Sequence, residues 1–196
     1  MAHQEPFDQL TGPLQVYVAA HGTAEPSIDS TPSGSWVELA ETDGEQAIQH
    51  MGRLTYFRDN AHQGPRKAVR PEEDVVFTFT LVSLTLEHYA RVLDDVSDMV
   101  EDTSGDPDIK KIPMERGFEP NEYALLFRGE AASPYGAWPG QYYIPLAVFD
   151  DEPQPTFGKD GRPALECEVH ALADTDQSAG YELGWLTVQS AATGAS

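Results

Sequence analysis

The chain has 196 residues, with 12 Lys and Arg against 33 Asp and Glu, giving a formal net charge of −21 at pH 7. That balance disfavours direct binding to nucleic-acid phosphates, which needs clustered Lys and Arg, and disfavours attachment to an anionic membrane for the same reason. Hydrophobic residues make up 40%, enough for a sizeable core, so composition predicts one folded domain rather than disorder. The single Cys167 excludes an internal disulfide framework and fits a reducing compartment. The start, Met-Ala-His-Gln-Glu-Pro, has no basic region and no apolar core, which predicts no secretory signal. No apolar run approaches the roughly 20 residues of a membrane-spanning helix.

Residues 1–13 are polar, carry Pro6 and Pro13, and read as an N-terminal arm. Residues 14–20 (LQVYVAA) are rich in strand-favouring types. Residues 21–35 form a long loop by their Gly, Pro and Ser content. Residues 36–39 are a short strand, closed by the turn signal Asp43-Gly44. In 46–57, Ile48, Met51 and Leu54 have helical spacing, whereas Gly52 and Thr55-Tyr56-Phe57 favour a strand, and the strand is preferred. Residues 58–74 read as a long polar loop that holds a basic cluster, Arg66, Lys67 and Arg70.

Residues 75–84 (VVFTFTLVSL) are the clearest strand, with Phe77, Phe79 and Leu81 alternating with Thr78 and Thr80. Thr85 is a helix N-cap, and Leu86, Tyr89, Ala90 and Leu93 line one helix face, predicting a helix from 86 to about 99. An acidic loop follows at 101–108. Four more strands are expected at 123–128, 141–149, 165–172 and 183–190, with a turn signal at Lys159-Asp160-Gly161, and 191–196 is a small-residue tail. About eight strands and one helix make the fold mainly β. The strands at 141–149 and 183–190 are apolar or bulky on both faces, so they lie centrally or are covered by a neighbouring subunit.

Little points to catalysis. The 6 His residues are scattered, without the spacing of a helical zinc site, and are read as surface or loop histidines. The stretch Asp102–Asp108 has the outline of a calcium loop but lacks its sixth-position Gly and twelfth-position Glu, so it reads as a solvated acidic loop. Cys167 alternates with Leu165 and Val169 on an inward face and reads as a buried small hydrophobe. No phosphate loop or nucleophile elbow is present, so no catalytic, metal or cofactor residues are assigned and no enzyme is expected. On the opposite face of the Cys167 strand, Glu166, Glu168 and His170 project together. They are either a solvated outer face or a surface presented to something that must not adhere. Arg66, Lys67 and Arg70 are either an ordinary charged loop or a patch that docks on the acidic surface of another copy.

The order of short segments along the chain carries a resemblance. Val16-Tyr17-Val18-Ala19-Ala20-His21-Gly22-Thr23-Ala24-Glu25-Pro26 is followed by Trp36-Val37-Glu38-Leu39 and Thr42-Asp43-Gly44. Gly64-Pro65-Arg66-Lys67 comes next, then the strand at 75–84 running into the helix. Late in the chain stand Tyr142-Tyr143-Ile144-Pro145, Lys159-Asp160-Gly161 and Gly180-Tyr181-Glu182-Leu183-Gly184-Trp185. Over nearly its whole length the chain resembles the major tail (tail tube) protein of long-tailed, siphovirus-type bacteriophages. It departs at Ala40, where the pattern Trp-x-x-Leu-Gly has Gly.

The resemblance implies a β-sandwich or barrel-like tail-tube domain over 1–196, with one flanking helix and long loop and terminal arms. It also implies that six copies form a ring, that rings stack into a tube, and that the tube conducts the genome to the host. The excursion at 58–74 and the terminal arm bridge rings, which makes Arg66, Lys67 and Arg70 candidate ring–ring contacts. Glu166, Glu168 and His170 are candidate lumen residues, where negative charge repels DNA weakly over about 8 Å at physiological salt and lets it slide. The implied partners are other copies, the tape measure, tail terminator and distal tail proteins, and DNA as a non-adhering passenger. The implied place is the virion tail, after synthesis in the bacterial cytoplasm. Two alternatives stay open: a contractile- or secretion-type tube protein, and an acidic β-sandwich module binding ligands through Trp36, Trp138, Trp185 and Tyr142-Tyr143.

Overall fold

Period-two alternation at 75–81 places Phe77, Phe79 and Leu81 on one side of a strand, and all three are buried in the core. That strand belongs to a computed structural model that describes residues 12–39, 41–82, 84–93, 100–105, 107–150, 152–156 and 163–190. Most of the expected N-terminal arm, the 191–196 tail, the Lys159-Asp160-Gly161 turn and the Ala40 departure lie outside the described residues.

The elements are β1 (Gln15–Ala20), β2 (Val37–Glu38), β3 (Thr42–Phe57), β4 (Lys67–Leu81), α1 (Leu86–Val92), β5 (Val100–Asp102), β6 (Ile109–Lys111), β7 (Tyr123–Gly129), β8 (Gly140–Phe149), β9 (Leu165–Ala171) and β10 (Trp185–Val188). The fold is mainly β, as the sequence predicts. One antiparallel sheet runs β2-β1-β7-β8-β9-β4-β3, with β10 added to β8 beside β9. The sheet wraps on itself. Phe77 of β4 stacks on Phe127 of β7 with ring centroids 4.7 Å apart, although β8 and β9 separate these strands in the order. Its two ends are stitched by side chains: the Leu14 amide donates to Gln46 Oε1 at 2.8 Å, and Gln46 Nε2 donates to the Leu14 carbonyl at 2.7 Å.

A second apolar cluster lies on the other face of β1, β7 and β8, formed by Tyr17, Ala19, Trp36, Ala124, Leu126 and Tyr143, with Trp185 packed against it. The 21–35 loop is anchored here through Glu25. Its carboxylate accepts from Gln141 Nε2 at 2.7 Å, Trp185 Nε1 at 2.8 Å and Thr187 Oγ1 at 2.9 Å. Trp36 Nε1 donates to the Ala24 carbonyl, and the Tyr143 hydroxyl donates to the Thr23 carbonyl. Buried Arg128 is satisfied by Glu130, Gln141 and the Ile28 carbonyl, as a charge removed from water requires. β7 is therefore buried along its length. β8 is central, and this chain's own loop is anchored over its outer face. β10 is only half-buried. It joins β8 because Gly184, at φ 117°, approaches so closely that an added Cβ would lie 2.5 Å from the Tyr143 carbonyl.

Several expectations need correction. Residues 58–74 are not a loop throughout: 67–74 belong to β4, and only 58–66 connect the strands. Asp43-Gly44 does not close β2 but lies inside β3, at a register shift between Asp43 and Ala47. The acidic stretch at 101–108 includes part of a hairpin, β5–β6. α1 starts as predicted, with Thr85 Oγ1 accepting from the His88 amide, but it closes at Val92 with Leu93 as its C-cap, and 94–99 lie outside the described residues.

Candidate assembly surfaces

β9 pairs with β4 only between Val76 and Leu81. Beyond that point β3 and β4 continue as a two-stranded ribbon, from Met51 opposite Asp74 to Phe57 opposite Lys67, closed by the Arg66 amide on the Phe57 carbonyl at 2.9 Å. Residues 52–57 and 67–74 are all exposed. The register shifts between Arg53 and Thr55, which leaves Pro71 at the irregularity, where its missing N–H removes no ladder bond. Leu54, Tyr56, Phe57 and Val69 on this ribbon are 39–54% exposed. Opposed residues share a face, so Phe57 and Thr55 lie with Lys67 and Val69, and Tyr56 lies with Ala68 on the other. Among the described residues neither face of the ribbon has a cover.

The basic cluster sits on this ribbon, on its returning strand and turn rather than on a polar loop. Arg66 pairs with Asp59 at 2.9 Å, and Arg70 pairs with Glu73 at 3.1 Å while its side chain lies across Gly52. Lys67 has no ion pair among the described residues. His62, 2.8 Å from Asp59, and then Arg66 hold the Asp59 carboxyl below its usual range. Exposed pairs of this kind contribute little to stability, so a partner surface can re-pair them.

Glu166, Glu168 and His170 stand on one face of β9, opposite Thr80, Thr78 and Val76 of β4. His170 Nε2 lies 3.2 Å from Glu168 and 3.4 Å from Asp150. Glu45 and the Thr78 and Thr80 side join Glu166 and Glu168 around a shallow depression. Cys167, between them in sequence, is buried on the core side as expected. The structure thus brings together each predicted trio but keeps the acidic face on the sheet body and the basic cluster on the ribbon.

Trp36 and Tyr143, expected on the ligand-binding alternative to stack on a ligand, are 7% and 3% exposed and pack edge to face at 6.0 Å. Neither ring is free for a ligand. The apolar ribbon residues Leu54, Tyr56 and Phe57 were missed as surface candidates. Their signal was present in the strand-forming run Thr55-Tyr56-Phe57 set beside a polar turn.

No family model matches the chain, and no curated protein matches it. Among solved structures, it is similar to a chain in the C6-symmetric tail of an empty GTA particle, at 11% identity and TM-score 0.45, covering 95% of this chain and 99% of that one. It is similar to a chain of the six-fold-symmetrised anti-feeding prophage (AFP) baseplate, at 7% identity and TM-score 0.44, covering 81% and 88%. A type six secretion system protein follows at 12% identity and TM-score 0.34, covering 80% and 78%.

Proposed function

We propose that the chain is a structural protein of a phage-type tail tube, in which six copies close into a ring and rings stack into a conduit for the genome. The observation that carries this reading is the β3–β4 ribbon. A two-stranded hairpin with no further strand is marginal in water, and this one holds four large apolar side chains exposed. A partner that covers both faces removes that apolar surface from water. The order of segments in the sequence, which resembles the tail-tube family, supports a second copy as that partner. The single domain spans 1–196 in this reading, and ring closure covers strand edges that otherwise invite uncontrolled pairing.

The acidic face of β9 lines the lumen in this proposal. DNA carries about one charge per 1.7 Å of axis, so a wall of Glu166 and Glu168 repels it and a basic wall would hold it. Tape measure, terminator and distal tail proteins complete the structure at the virion tail. Negative-stain microscopy of the purified full chain tests the assembly: six-fold rings or tubes are expected, and a chain that stays monomeric at high concentration overturns it. A density map of the tube with Glu166 and Glu168 on its outer wall overturns the lumen assignment alone.

A further inference from the structure

The basic tip of the ribbon has a counterpart at the other end of the same strand. Between Arg58 and Lys67 the ribbon tip holds three cations, Arg58, Arg66 and Lys67, against one anion, Asp59, while Arg53 and Arg70 nearer its base stand beside Glu72 and Glu73. At the opposite end of β3, a cleft of about 580 Å³ opens where β1 and β3 begin and β2 and β7 end. Its charged lining is Glu38, Glu41, Asp43 and Glu130 against one cation, Arg128. That cation is buried and already held by Glu130, Gln141 and a backbone carbonyl, so the cleft keeps an anionic excess. β3 has 16 residues, which separates cleft and tip by about 50 Å of strand.

We propose that this cleft receives the basic ribbon tip of a second copy of the chain; the inference rests on the assembly reading above and names the surface that the ribbon docks into. Donor and receptor stand at opposite poles of one strand, so the contact is heterologous and repeats when copies stack in the same sense. Charge complementarity orients the encounter, and like charges oppose tip-to-tip or cleft-to-cleft approach. The rival occupant, the chain's own residues 1–11, holds Glu5 and Asp8 and no Lys or Arg, which does not suit an anionic cleft.

Two charge-reversed full-length variants test this, Arg66→Glu with Lys67→Glu in the tip, and Glu38→Lys with Glu41→Lys in the cleft. Light scattering and negative-stain microscopy read assembly, and circular dichroism reads folding. Each variant alone is expected to lose assembly by about ten-fold or more, and an equimolar mixture to recover it, because each then offers the other a complementary surface. Loss in the tip variant with normal assembly in the cleft variant overturns the cleft as receptor and leaves the assembly reading intact. Loss in both without recovery on mixing also overturns the inference, as does a discrete two-copy complex. A wild-type chain that does not assemble overturns the assembly reading itself. If a reversed variant fails to fold, Glu38→Gln with Glu41→Gln keeps the shape, and it is expected to dissociate at lower salt than wild type. An unchanged salt midpoint overturns the proposal.

Discussion

Residues 75–81 and 67–74 of β4 share one continuous backbone and pair with the same neighbour, β3, yet they live in different surroundings. In the first segment Val75, Phe77, Phe79 and Leu81 are buried against β7 and β9, and each such side chain contributes about 1.5–3 kcal/mol by leaving water. In the second, every residue is exposed. The ladder bonds are of one kind in both segments, so backbone pairing does not separate them. Among the described residues the second segment has no third strand and no facing layer, and in the proposed assembly a partner copy supplies them.

The comparison breaks most sharply at the core. Phe127→Ala removes the ring stacked on Phe77 and edge-on to Phe79, and it is expected to cost about 3–5 kcal/mol in urea unfolding. The ribbon double variant Tyr56→Ala with Phe57→Ala is expected to change the unassembled chain by no more than about 0.5 kcal/mol while suppressing assembly. Equal destabilisation by the two would mean that the ribbon packs within the single chain.

An intermediate effect is expected in the loop over the second apolar cluster. Glu25→Ala leaves buried Gln141 and the Trp185 indole without their carboxylate acceptor, at a cost of about 1–3 kcal/mol in thermal unfolding. Trp185 fluorescence should shift with it, and Glu25→Gln should recover part of the loss. An unshifted spectrum and an unchanged melt would show that the loop does not hold β10 in place.

The smallest effect concerns α1 and the β5–β6 hairpin. Lys110, 2.9 Å from Glu87, donates the hydrogen bond that holds its carboxyl down to about 2. A carboxyl with a depressed folded pKa stabilises above its unfolded value of about 4.3, and the contribution is lost as pH falls below that value. Its loss is complete once pH passes through the folded value of about 2. The melting temperature should therefore fall slightly more steeply over that window in wild type than in Glu87→Gln. Identical limbs would show that the tether carries no stability.

Local pattern decided much of this molecule. Alternation at 75–81 set both the strand and its buried face. Thr85 and the spacing of Leu86, Tyr89 and Ala90 set where α1 begins. Leu165, Cys167 and Val169 set the inward face of β9, and so put Glu166, Glu168 and His170 together on the other side. Each of these depends on neighbours within a few residues, which a linear reading sees. Pairing and coverage depend on residues far away in the chain. The run Arg70-Pro71-Glu72-Glu73-Asp74 has no strand signal of its own and becomes strand only because β3 runs beside it. Three-residue β5 and β6 are too short for any period. The second faces of β7 and β8 carry Leu126 and Tyr143 beside Arg128 and Gln141, and only the long-range hydrogen bonds to Thr23, Glu25 and Ile28 reveal that this chain's own loop is anchored over them. The net charge of −21 was fixed by composition alone. Its division into a basic ribbon tip and an acidic cleft about 50 Å away along β3 came from the tertiary fold, because a long strand carries the tip far from the sheet body.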